Sequence, residues 1–120
     1  MSYTCHHTII VTSFSKEHTD AAHHHALEIF DGHVTSVVQS PMNLFWTFLV
    51  APDGSSEGWV VSDEGDARRN TFIDWLNSQR YEDGSSPFKW CEVQYGDEED
   101  DNRIIRDEAN MRPEYHEKED

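Results

Sequence analysis

Leu44-Phe45-Trp46-Thr47-Phe48-Leu49-Val50-Ala51 is the most apolar run in the chain, with Thr47 its single polar side chain. Eight residues are few for a helix, and the aromatic and branched side chains suit a strand. A run that does not alternate has no face to turn to water, so it predicts an internal strand covered on both sides. Immediately before it, Pro41-Met42-Asn43 reads as a turn and VTSVVQS, 34–40, as the partner strand of a hairpin. Immediately after it, Pro52-Asp53-Gly54-Ser55 stops the strand. The EGWVV that follows extends the sheet or forms an ordered loop, which leaves Trp59 on either.

Nearer the N-terminus, HTIIVTS predicts a first strand over 6–13, apolar enough to be buried on both faces. Ser15 can cap a helix to about Phe30, in which Ala22, Ala26, Ile29 and Phe30 share one stripe and Asp31-Gly32 ends the element. His18 and His25 border that stripe and are expected to make hydrogen bonds beside the core. Downstream, Asp66 can cap a helix over about 67–80 that buries Phe72, Ile73 and Leu76, with Trp75 at the border and Arg68, Arg69 and Asn70 facing water. The loop 82–87 precedes FKWCEVQY, 88–95, a strand with either Cys91, Val93 and Tyr95 or Phe88 and Trp90 turned inward.

Strands and helices thus follow in the order βαββαβ. This predicts an α+β fold, a two-layer ferredoxin-like sandwich of two helices on a four-stranded antiparallel sheet. Its centre would be the two strands that are apolar on both faces. Such a sheet has an exposed edge and an open face through which a homodimer could form.

Charge bears on partners more than on fold. Residues 97–120 hold eleven acids and four bases, net −7, and residues 1–96 hold thirteen and five, net −8, for −15 in all. The expected division is a folded domain over 1–96 and an acidic tail over 97–120. Arg103-Ile104-Ile105-Arg106 is too apolar for a solvating tail and is expected to dock on the body. A surface this negative repels phosphate backbones and anionic headgroups, so direct nucleic-acid and membrane binding are not expected. It suits instead a basic surface on a protein, including one shaped to hold nucleic acid, with Asp97, Glu98, Glu99, Asp100 and Asp101 as the densest contact. Mere solubility is the competing reading. Cys5 and Cys91 lack CxxC spacing, no apolar run approaches a membrane span, and the N-terminus has no leader pattern. A reducing, cytoplasmic setting and no cofactor are the expectations.

Seven of the eight histidines lie in the first 33 residues. Asp20, His24 and Glu28, at i, i+4 and i+8, could hold a divalent metal weakly, against the alternative of a solvated helix face. Arg68 and Arg69 are the compact basic pair of the body and, with Trp59, suggest an anion or nucleotide pocket. Their alternative is pairing with local acids. Cys5 next to His6 and His7 lacks a convincing nucleophile setting.

His6-His7-Thr8 and His33-Val34-Thr35 both fit H-x-T and resemble the paired motifs of two-histidine phosphoesterases. The resemblance implies His6 and His33 as general base and acid, with Thr8 and Thr35 holding phosphate. The 27-residue separation is short for those larger, two-lobed enzymes, and no basic side chain flanks either motif. The segments GWVVSDEGDARRNTFIDWL and DGSSPFKWCEVQYGD resemble small uncharacterised acidic bacteriophage proteins. That resemblance implies a viral, non-enzymatic inhibitor acting stoichiometrically on a host defence protein in the host cytoplasm; an alternative, resting on Trp59, Arg68 and Arg69, is a sponge for a nucleotide signal.

Overall fold

In β1, Cys5–Ser13, Ile9, Val11 and Ser13 are buried toward one face, whereas on the other Ile10 and Thr12 are only partly covered and Thr8 is buried. The computed structural model, which describes residues 5–52, 60–96 and 102–108, continues with α1 (Lys16–Ile29), β2 (Val38–Gln39), β3 (Trp46–Val50), α2 (Val60–Ser78), β4 (Lys89–Gly96) and β5 (Arg103–Asp107). The strands form one antiparallel sheet in the order β2-β3-β1-β4-β5. The α+β class and the two helices are as predicted, but the sheet has five strands where four were expected.

One side of the sheet meets the helices. Ile9 and Val11, Phe48 and Val50, and Phe88 and Trp90 pack there against Ala22 and Ala26 of α1 and Phe72, Ile73 and Leu76 of α2. The two small alanines let α1 approach closely, and the rings Phe30, Phe48 and Phe72 fill the gap in tilted and edge-on contacts. Among the described residues no helix covers the opposite side, where Ile10, Leu49 and Val93 remain partly exposed. The expectation that β1 and β3 are covered on both faces is therefore wrong: their continuous apolar runs buy one buried face and one half-open face. Phe88, just before β4, and Trp90 within it face inward, leaving Cys91, Val93 and Tyr95 outward.

Ser15 caps α1, its Oγ accepting from the His18 N–H at 3.2 Å, and the Thr19 hydroxyl donates to the Ser15 carbonyl at 2.8 Å. Asp31 (φ 56°) and Gly32 (φ 86°) then turn the chain through the left-handed region. Ser15→Ala is expected to lower stability by about 1 kcal/mol, measured by urea denaturation; an unchanged midpoint would show that the cap is energetically idle.

Three further expectations are corrected. The 34–40 strand shrinks to Val38–Gln39, because at Thr35 the side-chain Oγ1, instead of a ladder carbonyl, accepts the Leu49 N–H at 2.9 Å. α2 begins at Val60 and not near residue 67, so VV belongs to the helix and Asp66 is not its cap; Asp66 pairs with Arg69 one turn on. His18 and His25 make ring contacts, His18 with Tyr81 and Phe88 and His25 with Trp75 at 4.2 Å, and the buried Nδ1 of His18 has no hydrogen-bond partner among the described residues.

Candidate functional site

His7 and Glu92 occupy inward positions of neighbouring strands where the pattern calls for apolar residues. His7 follows the parity of Ile9 and Val11, and Glu92 that of Phe88 and Trp90. Glu92 is 2% exposed, and three side chains converge on its carboxylate. His7 Nδ1 donates to Oε2 at 3.0 Å, Arg69 Nε from α2 stands 3.4 Å from the same oxygen, and Arg106 Nε from β5 donates to Oε1 at 2.5 Å. Arg106 Nη2 also donates to Asn70 Oδ1 at 2.8 Å, and Arg69 Nη2 donates to Asp66 Oδ1. Burial by itself would raise the Glu92 carboxyl. The hydrogen bond from His7 and the charge and hydrogen bond of Arg106 outweigh it, holding the group below the ordinary glutamate value and therefore ionised.

A half-open cavity of about 290 Å³ adjoins this cluster, lined by His7, Phe30, Asp31, His33, Val50, Ala51, Arg68 and Arg69. Each wall has a local cause. The turn after α1 brings in Phe30, Asp31 and His33; β3 ends there at Val50; and successive positions on α2 supply Arg68 and Arg69. His33 is oriented by its Nε2–H, which donates to the Pro52 carbonyl at 2.7 Å. Arg69 is 5% exposed, which corrects the expectation that it faces water, while Arg68 is exposed at the cavity. Two arginines and two histidines thus meet, together with Asp31, around one small cavity on a chain of net charge −15.

The sequence-predicted residues divide. Arg68, Arg69 and His33 meet at this cavity. His6 does not: it lies on the open side of the sheet against Tyr95, ring centroids 5.0 Å apart. The Thr8 hydroxyl donates to the Val50 carbonyl at 2.6 Å, and Thr35 is engaged with β3, so the two H-x-T motifs do not converge. Trp59 and Asp97–Asp101 lie outside the described residues. The latter run connects β4 to β5, whose flanking residues are joined by the Gly96 N–H and Asn102 Oδ1 at 3.2 Å.

Of the proposed metal stripe, Asp20 pairs with Lys16 at 2.8 Å and His24 with Glu28 at 3.4 Å. Among the described residues no three histidine, cysteine or carboxylate side chains are grouped to hold a metal ion. Cys91 is half-buried, and burial, followed by the charge of Asp107, pushes its thiol up and away from reactivity. His7 and Glu92 were missed in the sequence, although a signal existed: each is an ionisable residue at an inward register position of an otherwise apolar strand face. Among the described residues, no helix is long and apolar enough to cross a membrane. No protein-family model, curated protein or solved structure matches the chain.

Proposed function

We propose that this protein binds a small phosphate-bearing ligand, of the size of a nucleotide, in the cavity between α1, β3 and α2. The observation that carries this reading is the convergence of His7, His33, Arg68 and Arg69 on one cavity of an otherwise acidic chain. Arginine presents a planar fork of donors to phosphate oxygens, and neutral or protonated imidazoles add further contacts. Phe30, Val50 and Ala51 offer the organic part of the ligand an apolar wall. The surrounding negative charge disfavours polymeric nucleic acid and so selects for short ligands.

The ligand should stabilise the fold in proportion to the logarithm of its concentration above Kd, by about 2.7 kcal/mol at a hundredfold excess over Kd, which thermal melts would show as a rising midpoint. Arg68→Ala should weaken inorganic phosphate or adenosine monophosphate binding by roughly ten- to a hundredfold, the equivalent of one charged hydrogen bond. Calorimetric titration checks both. An absence of phosphate and nucleotide binding at millimolar concentration would sink the reading.

The frame itself supports assignment to the ferredoxin-like sandwiches: a helix follows β1 and β3, the first four strands lie in the order β2-β3-β1-β4, and β5 is an added edge. A second reading is favoured by the charge alone, since residues 1–96 remain at −8 without the tail. In it, the protein is a phage-encoded inhibitor that docks its acidic surface on the basic site of a host defence protein. Its affinity would then fall steeply with salt. Salt-insensitive capture of a partner would overturn it.

A further inference from the structure

We propose that the cavity hydrolyses phosphodiesters, with His7 as general base and His33 as general acid; this rests on the reading of the cavity as a phosphate site. The argument starts from where the protons are. Glu92 can only accept from His7, so Nδ1 of His7 carries hydrogen, and in the neutral ring Nε2 holds a lone pair. Nδ1 is turned to Glu92, so the opposite edge of the ring, bearing Nε2, is the edge His7 contributes to the cavity wall. A carboxylate that fixes the tautomer and steadies the imidazolium is what a histidine base requires. The Pro52 carbonyl likewise can only accept, so Nε2 of His33 carries hydrogen and Nδ1 is the nitrogen that gains or loses a proton.

Charge selects the substrate class. Around the site Arg69 pairs with Asp66 and Arg106 with Glu92, and Arg68 and Asp31, of opposite charge, both line the cavity, which leaves the histidines to set the balance. One protonated and one neutral histidine give a single positive charge, the complement of a monoanionic diester. That state is also the one in which a base and an acid coexist. A dianionic monoester would be balanced only with both histidines charged, and then no base remains.

In the step, His7 Nε2 takes a proton from water while the water oxygen forms a bond to phosphorus. The bond from phosphorus to the departing ester oxygen breaks, and that oxygen takes the Nδ1 proton of His33. The products are a phosphomonoester and an alcohol, and proton exchange with solvent resets the pair. Arg68 is placed to hold the non-bridging oxygens.

The test uses the full chain and two diesters of matched size, methyl 4-nitrophenyl phosphate and methyl phenyl phosphate, beside calorimetric titration with inorganic phosphate. The wild type should cleave both. His7→Gln should slow both by about 10²- to 10⁴-fold, the range for loss of a positioned base, a loss larger than any it causes in phosphate affinity. His33→Ala should slow the phenyl ester at least about tenfold more than the nitrophenyl ester, because only the poorer leaving group needs a proton. A merely structural role for His33 would slow both equally. Phosphate binding without cleavage by the wild type, or cleavage indifferent to His7→Gln and to His33→Ala, would overturn the catalytic assignment and leave the binding reading intact. No phosphate binding by the wild type would overturn both.

Discussion

Glu92→Ala is expected to destabilise the protein by about 3–5 kcal/mol, because it strands cationic partners that are themselves poorly exposed. Arg69 is 5% exposed, and the side chains of Arg106 and His7 are 11% and 13% exposed, so none can recover full hydration without opening the structure. The loss exceeds what the ion pairs contribute, since it includes the desolvation of charges left unmatched. Urea denaturation measures it. A loss below about 1 kcal/mol would mean that the cluster is hydrated in solution and behaves as a surface network. Acid should produce part of the same effect. The folded-state carboxyl sits below its ordinary value of 4.5, so its contribution is complete above that value and fades as pH falls through the folded-state value. Glu92→Gln should accordingly flatten the acid limb of the stability curve, and an unaltered limb would assign acid sensitivity to other carboxylates.

Ending the chain at Gly96 should be nearly as damaging, while ending it at Glu108 should be tolerated. The shorter form lacks β5, and with it the Arg106 that donates to Glu92 and ties Asn70 of α2 to the sheet. Loss of that one partner again costs about 3–5 kcal/mol, a large share of the 5–15 kcal/mol typical of a domain. It also bares the β4 edge from Cys91 to Gln94. The longer form keeps every described residue. Thermal melts of the two truncations decide the matter: equal midpoints would show that β5 adds nothing to the fold.

The sequence made the first strand, the first helix and the alternation of the last strand legible, because each is a simple period, but not which parity of the last strand faces inward. Ile9 and Val11 alternate, Ala22, Ala26 and Ile29 recur at helical spacing, and Phe88 and Trp90 lie two apart. The start of α2 was not legible. Ser62, Asp63, Gly65 and Asp66 read as turn formers, yet Gly65 is buried within the helix, where tertiary packing overrides a weak local preference. β5 was visible only as an apolar interruption of a charged segment, without a sign that it pairs beside β4.

The site was half legible for a related reason. Arg68 and Arg69 stand out as a basic pair, but their neighbours come from sequence positions 7, 33 and 92, and only the sheet register joins them. The histidine motifs misdirect by one residue: His6 and His7 are adjacent, and on a strand adjacency means opposite faces. His7, which completes no H-x-T motif, is the one that reaches the cavity.

The rims of the sheet bear on how this protein behaves when abundant. On one side β2 offers an incoming chain a ladder only two residues long; on the other, β5 is five residues long and carries the charged Arg103 and Asp107, and β4 beside it is bulged at Glu92 and Val93. Neither margin is a good template for another strand. Combined with mutual repulsion between molecules of charge −15, this favours a protein that can accumulate without fibres or precipitate.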